Sequence, residues 1–114
     1  MKYKRSSRVA EFIRREISLM ITVTIKDPGV KTVTITHVNV SDDLKIAKIY
    51  YRVIGDDQAK ENAIKGLERA NKFIRAEIGQ RIELRYVPEI QFFYDSGLDN
   101  AYHIEMLLQK LNKE

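Results

Sequence analysis

The feature that most constrains the fold of this chain is a long amphipathic segment that runs directly into a strand-like one. On a wheel of 3.6 residues per turn, residues 63–82 place one apolar stripe on a single side, made of Ala63, Leu67, Ala70, Ile74 and Ile78. Lys65, Arg69 and Lys72 fall on the opposite side. The following run, residues 84–94, has the composition of a strand. We therefore expect a helix that packs on a sheet and presents a basic outer face.

The segments before this helix complete an α+β pattern. A first helix is expected to begin at Ser6 or Ser7, whose hydroxyls suit an N-cap, and to end by the Lys-Asp-Pro-Gly segment at 26–29. Residues 33–40 and 44–54 predict two strands joined by an acidic turn, which is typical of an antiparallel hairpin. The long helix then begins after two aspartates that suit its N-terminus.

The connections predict a three-stranded mixed sheet with helices on one face. The last strand follows a helical crossover, so we expect it to pair in parallel with the second. Pro88 places this strand at a sheet edge or in a bulge. The other face of the sheet would present Lys48, Tyr50 and Arg52 to solvent or to a partner. We expect one domain over residues 1–114, with a core at about 7–95 and a C-terminal helical extension at 96–114.

Composition limits the compartment and the kind of partner. The chain has 114 residues, no cysteine and a formal net charge of +4. Without cysteine it forms neither disulfides nor thiolate zinc sites, which favours a reducing cytosol. Its longest apolar run is too short to span a bilayer, and its N-terminus lacks the apolar block of a signal peptide. We therefore expect a cytoplasmic protein. Its excess cations lie in residues 1–15 and 60–85, which indicates an anionic partner.

Nothing in the chain has the pattern of a catalytic or metal site. His37 and His103 are isolated, with no further ligand at a recognised spacing. The aspartate pairs at 42–43 and 56–57 lie where a turn and a helix start are expected. The glycines are scattered, and no phosphate-binding glycine loop is present. We expect no enzymatic activity, no cofactor and no bound metal.

Some cations of the long helix have an acid four residues earlier in the sequence, and others do not. Glu61 and Glu68 precede Lys65 and Lys72 by four residues, a spacing that favours intrahelical ion pairs. Arg69 and Arg75 have no acid at that position and are expected to be freer to contact phosphate. The N-terminal cations, among them Lys4, Arg5 and Arg8, form a denser cluster. A solvated outer face remains the alternative for both groups.

Several sequence blocks resemble one family. They are Arg8-Val9-Ala10, Ile25-Lys26-Asp27-Pro28, Val40-Ser41, Phe73-Ile74-Arg75 and Val87-Pro88-Glu89, in order and at near-matching spacing over residues 8–95. Together they resemble the bacterial ribosome-binding factor A family. The resemblance implies a type II KH-like fold, α-β-β-α-α-β. It also implies a non-catalytic RNA-binding protein that binds the free 30S ribosomal subunit and its 16S rRNA. Members act late in rRNA maturation, support growth in the cold and have the GTPase Era as a functional neighbour.

The resemblance also bears on the site. Ordinary KH domains use a Gly-x-x-Gly loop, which is absent here, and the family instead interrupts the helix at Ala-x-Gly. The corresponding residues are Ala70, Asn71 and Lys72, whereas the wheel treats residues 63–82 as one continuous helix. We expect RNA contacts from cations around that point and on the first helix, with Asn71 beside them: Arg5, Arg8, Arg15, Lys65, Arg69, Asn71, Lys72 and Arg75. The alternative is a protein-interaction module that does not require RNA. In either case we expect a monomer.

Overall fold

A computed structural model of the protein describes residues 4–96, which form two long helices and a three-stranded sheet. The elements, in chain order, are α1 (Arg5–Leu19), β1 (Val33–Val40), β2 (Ile46–Val53), α2 (Asp57–Arg81) and β3 (Glu89–Tyr94). A π-helical turn, Met20–Thr24, continues α1, and a 3-10 turn, Val30–Thr32, leads into β1. The predicted α+β class is confirmed.

The sheet has the order β1-β2-β3 and the mixed pairing expected from the connections. β1 and β2 are antiparallel, with Val33 opposite Val53 and Val40 opposite Ala47. β2 and β3 are parallel, from the Ile46–Glu89 pair to the Tyr51–Tyr94 pair. The hairpin and the helical crossover are therefore confirmed, and β3 is an edge strand. It begins only at Glu89, because Pro88 has no N–H to donate, so residues 84–88 are not part of the strand as predicted.

The core lies between the two helices and one face of the sheet. All five residues of the predicted helical stripe are buried, and α1 adds Val9, Ile13 and Ile17. From the sheet, Ala47, Ile49 and Tyr51 point into the same cluster, as their alternation predicted. Burying each large aliphatic side chain contributes roughly 1.5–3 kcal/mol. This burial fixes which sides of α1 and α2 face outward.

The two helix starts differ from each other. Asp56 caps α2, because its Oδ1 accepts a hydrogen bond from the Ala59 N–H at 2.9 Å. α1 instead begins at Arg5 after Lys4, and its N-cap makes no side-chain hydrogen bond. The prediction of a serine cap is wrong, since the Ser6 hydroxyl is directed to the hairpin turn, where it lies 3.4 Å from Asp42 Oδ1.

The interruption that the resemblance implied at Ala70, Asn71 and Lys72 is absent, and the continuous helix that the wheel indicated is confirmed through residue 81. α2 is a single helix through these residues, and none of them has a positive φ. Lysine at position 72 lacks the backbone freedom of the family's glycine. Ala70 is buried on the core side, and the Asn71 amide binds β3 from within the helix. The described part of the chain is thus α-β-β-α-β, without the second short helix that the resemblance implied.

The outer face of the sheet also departs from expectation at its centre. Tyr50 is only 3% exposed, although it was expected to face solvent or a partner. Its ring lies between His37, at a centroid distance of 6.1 Å, and Phe93, at 5.5 Å. Aromatic rings therefore flank Tyr50 on both sides within this face.

The predictions for the C-terminal extension, including its helix and His103, lie outside the described residues. Within residues 4–96, no helix combines the length and hydrophobicity that crossing a membrane requires.

Candidate nucleic-acid interface

α1 presents two cations on its outer side that pair with no acid of residues 4–96. Arg8 and Arg15 are exposed, on the side opposite Val9, Ile13 and Ile17. Within residues 4–96, no acid lies within 4.0 Å of either guanidinium. Their neighbour Arg14 pairs with Glu11 at 2.6 Å, and that hydrogen bond holds the pKa of the Glu11 carboxyl below its ordinary value. Arg8 and Arg15 are thus available to an anionic ligand.

α2 presents a second outward pair, Lys65 and Lys72. Both are exposed, opposite the buried stripe. The intrahelical ion pairs expected with Glu61 and Glu68 are not formed, because no acid of the described chain lies within 4.0 Å of either ammonium group. An i, i+4 spacing brings two side chains within reach, and at an exposed site the gain is too small to hold them together.

Arg69 is not free, contrary to the prediction. Its Nε donates to Asp27 Oδ2 at 2.8 Å and its Nη2 donates to Asp27 Oδ1 at 3.1 Å, a bidentate pair. Asp27 Oδ1 also accepts the Gly29 N–H at 3.0 Å. The Arg69 guanidinium, and then the Gly29 amide, hold the pKa of the Asp27 carboxyl below its ordinary value. We call Asp27, Gly29, Gly66 and Arg69 the clamp.

Two glycines allow the clamp to close. A Cβ on Gly66 would lie 2.9 Å from Val30 Cγ2, and a Cβ on Gly29 would collide with the Asn62 carbonyl. The loop after α1 therefore lies directly against the backbone of α2. This contact explains the glycine at position 29, and the Arg69 pair explains the aspartate at position 27.

Asn71 and Arg75 are engaged with the strand side of the fold. Asn71 Nδ2 donates to the Ile90 carbonyl at 3.0 Å, and Arg75 Nη2 donates to the Val87 carbonyl at 3.1 Å. Six residues separate Arg69 from Arg75, which places them about 120° apart around the helix axis. Lys72 lies between them on the wheel, so the α2 cations share one outward arc and differ in their contacts: Arg69 and Arg75 have partners within the fold.

Arg81 joins the two helices into one layer. Its Nη1 lies 3.2 Å from Glu16 of α1, and its Nη2 lies 3.2 Å from Glu77 of α2. Because both helices pack on the same face of the sheet, the outward cations Arg8, Arg15, Lys65 and Lys72 project from one side of the protein. Four of the eight predicted residues are thus brought to a shared outer surface, which we call the helix face.

Arg5 lies elsewhere, in a second cleft whose other members sequence reasoning missed. It lines a cavity of about 250 Å³ together with Lys45, Arg85 and Tyr86. We call these four residues the hairpin cleft. Lys45 follows the hairpin turn and Arg85 lies in the α2–β3 connection, so no periodic pattern links them. The sequence itself shows only that a tyrosine follows an arginine at 85–86.

The described residues show no metal-binding group. Within 4–96, no three histidine or acidic side chains are placed to hold an ion. His37 lies on β1 beside Tyr50, within the aromatic packing of the sheet.

Comparisons with known proteins find matches to both the sequence and the fold of this chain. A family model described as ribosome-binding factor A matches residues 5–108. A crystal structure of ribosome-binding factor A from Thermus thermophilus is similar, with 21% identity, 78% of this chain and 94% of that chain covered, and a TM-score of 0.68. A solution structure of a candidate ribosome binding factor A from Thermotoga maritima has 24% identity, covers 84% and 88%, and has a TM-score of 0.60.

A third similar structure is a homology model of the Thermus thermophilus factor that was fitted into a cryo-EM map of a complex with 30S. It shares 21% identity over 79% of this chain and 94% of that one, with a TM-score of 0.63. At these identities the structural matches establish the fold.

Proposed function

Because the chain belongs to the ribosome-binding factor A family, we propose that it is a non-catalytic, RNA-binding assembly factor for the free 30S ribosomal subunit. It assists late maturation and processing of 16S rRNA, including during growth in the cold, in functional connection with the GTPase Era. It acts as a cytoplasmic monomer and needs no cofactor. The family match over residues 5–108 carries this proposal.

The helix face supplies the chemistry that the proposal needs. Arg8 and Arg15 are seven residues apart on α1, and Lys65 and Lys72 are seven apart on α2. Two helical turns separate the members of each pair by about 10 Å along the axis. Because no acid of the described chain pairs with them, all four can contact phosphates. Such contacts position a protein on RNA without reading its sequence.

Binding alone can alter a maturation pathway. A factor that binds one rRNA conformation more tightly than another shifts the population toward the first. The buried core and the Arg81 ion pairs set the positions of α1 and α2 relative to each other. Cations that project from two helices at set positions favour the arrangement of a phosphate backbone that contacts most of them. We therefore propose that the protein stabilises one late conformation of 16S rRNA.

Co-sedimentation with purified small subunits, at increasing salt, tests the proposal. We expect binding to weaken steeply, with a log–log slope of roughly −0.7 to −0.9 for each phosphate contacted. A protein-interaction module would instead bind ribosomal proteins without RNA and would be indifferent to salt. Salt-independent attachment to RNA-free ribosomal proteins would overturn our proposal.

Charge reversal locates the surface. Lys65→Glu with Lys72→Glu should weaken subunit binding at least tenfold, while thermal unfolding stays close to that of the original protein. The matched control is Lys31→Glu with Arg52→Glu, which changes the net charge equally at exposed positions outside the two helices. Equal losses in the two double variants would show that net charge, and not this face, governs binding.

A further inference from the structure

The hairpin cleft is formed where three chain segments are tied together. Ser6 and Lys4 hold the start of α1 to the hairpin turn, since the Ser6 hydroxyl and the Lys4 ammonium lie 3.4 and 3.8 Å from Asp42 Oδ1. Glu89 at the start of β3 donates its N–H to the Lys45 carbonyl at 2.8 Å. The α2–β3 connection therefore passes directly beside the turn. These contacts bring Arg5, Lys45 and Arg85 around one cavity.

The turn itself is held in one conformation. Leu44 has a φ of 63°, in the left-handed region that leucine rarely adopts. Its N–H donates to the Ser41 carbonyl at 2.8 Å, and the next N–H, of Lys45, donates to Asp43 Oδ1 at 3.0 Å. Leu44 also packs against the core. Lys45 thus leaves the turn in a fixed direction, beside the cavity.

At this cleft, Oδ1 of Asp42 and Oδ1 of Asp43 each contact a neighbouring group. Asp43 lines the cavity, but Oδ1 accepts the Ser41 hydroxyl at 2.6 Å and the Lys45 N–H. These two bonds hold the pKa of the Asp43 carboxyl below its ordinary value. Asp42 is paired with Lys4. No acid of the described chain lies within 4.0 Å of the charged groups of Arg5, Lys45 or Arg85, so three cations face one internally bonded carboxylate.

An aromatic ring stands at the edge of these cations. Tyr86 is 66% exposed, which is unusual for so large a side chain. The Arg85 guanidinium carbon lies 5.7 Å from its ring centroid, within the range of a cation–π contact. An exposed tyrosine beside clustered cations is the combination that holds single-stranded nucleic acid, because bases stack on the ring while cations contact the backbone.

Resting on the proposed function, we propose that the hairpin cleft binds a short unpaired stretch of RNA, separately from the helix face. Phosphates contact Arg5, Lys45 and Arg85, and one base stacks on Tyr86. The cavity of about 250 Å³ has the volume of roughly eight waters, enough for a phosphate group. A base outside it would lie against the exposed ring.

Stacking and charge are tested separately, with an unstructured RNA of about eight nucleotides and with purified small subunits. Tyr86→Ala should weaken binding of the single strand by roughly 5- to 150-fold, whereas Tyr86→Phe, which keeps the aromatic face, should bind like the original protein. Arg85→Gln should reduce the salt slope by about 0.7. Its control is Arg52→Gln, an exposed arginine on β2 with the same charge change.

The outcomes separate this proposal from the one on which it rests. If Tyr86→Ala equals Tyr86→Phe, or Arg85→Gln equals Arg52→Gln, while subunits still bind in a salt-dependent manner, the cleft is overturned and the assembly function stands. If the cleft variants lose the single strand but the protein does not bind subunits, the assembly function fails and the cleft stands. Equal binding of duplex RNA of the same length, with the same response to Tyr86→Ala, would overturn the unpaired-strand assignment.

Discussion

The clamp and the hairpin cleft both contain arginine near aspartate, yet they leave the cations in opposite states. In the clamp, both Asp27 oxygens face the Arg69 guanidinium, so the ion pair joins a loop to α2. In the cleft, Asp43 bonds to its own turn, and Arg5, Lys45 and Arg85 remain without an acid within ion-pair distance in the described chain. Both acids accept hydrogen bonds from their own turn, but only Asp27 has a guanidinium within reach of both of its oxygens. The difference teaches that the position of the cation across the fold decides whether it is used in the fold or left for a ligand.

Adding a side chain at Gly66 has the largest expected effect. It should destabilise the protein through the clamp, whereas a substitution in the hairpin cleft should not. Gly66→Val adds atoms where even a Cβ would lie 2.9 Å from Val30. We expect the free energy of unfolding to fall by about 1–3 kcal/mol in urea titrations. Arg85→Ala, in the cleft, should change it by no more than about 0.5 kcal/mol.

The matched control for this test is Ala76→Val, at an exposed position of the same helix. It carries only the lower helix propensity of valine, roughly 0.5 kcal/mol. Should Gly66→Val be no less stable than Ala76→Val, the loop does not rest on α2 as described, and the clamp loses its structural role.

A substitution at Asn71 tests whether a side chain that hydrogen-bonds within the fold also contacts RNA. Asn71→Ala removes the donor to the Ile90 carbonyl and should lower stability by about 1 kcal/mol. Binding to small subunits, measured where both proteins are fully folded, should be unchanged. Gln80→Ala, exposed on the same helix, is the control for loss of an amide. Weaker binding with unaltered stability would restore Asn71 to the RNA-contacting set.

Periodic features of the sequence were enough to predict the sheet and the core. The alternation in residues 47–53 and the stripe from Ala63 to Ile78 each report burial of one element against its neighbours. The order of connections then predicted an antiparallel hairpin and a parallel crossover. These inferences held because each depends on local spacing or on a topological rule with few exceptions.

Whether an individual cation is paired with an acid could not be predicted in the same way. The acids on the same helix do not predict whether Arg69 is paired, because its partner is Asp27, 42 residues earlier in the chain. Lys65 and Lys72 had acids at favourable spacing and nevertheless remain unpaired within the described residues. The hairpin cleft was missed for the same reason, since Arg5, Lys45 and Arg85 meet only through contacts among three separate segments. In each case, whether a cation is paired depends on which residues are close in the folded chain. That proximity leaves no periodic pattern in the sequence.

The pH dependence of the clamp gives the smallest effect, because the Arg69 side chain is 61% exposed and solvent screens the ion pair. The folded protein holds the Asp27 pKa below its ordinary value, so the carboxylate stabilises the fold above about pH 4, the unfolded value. That contribution is lost as the pH falls through the lower pKa of the folded state.

Asp27→Asn should therefore be less stable than the original protein at pH 7, and the difference should shrink toward pH 3. Urea midpoints across this range measure it, with Glu83→Gln, exposed in the α2–β3 connection, as control. A stability difference that stays constant from pH 7 to pH 3 would mean that the charge of Asp27 does not hold the clamp together. The clamp would then depend on the close packing at Gly29 and Gly66, and its ion pair would not distinguish it from the cleft.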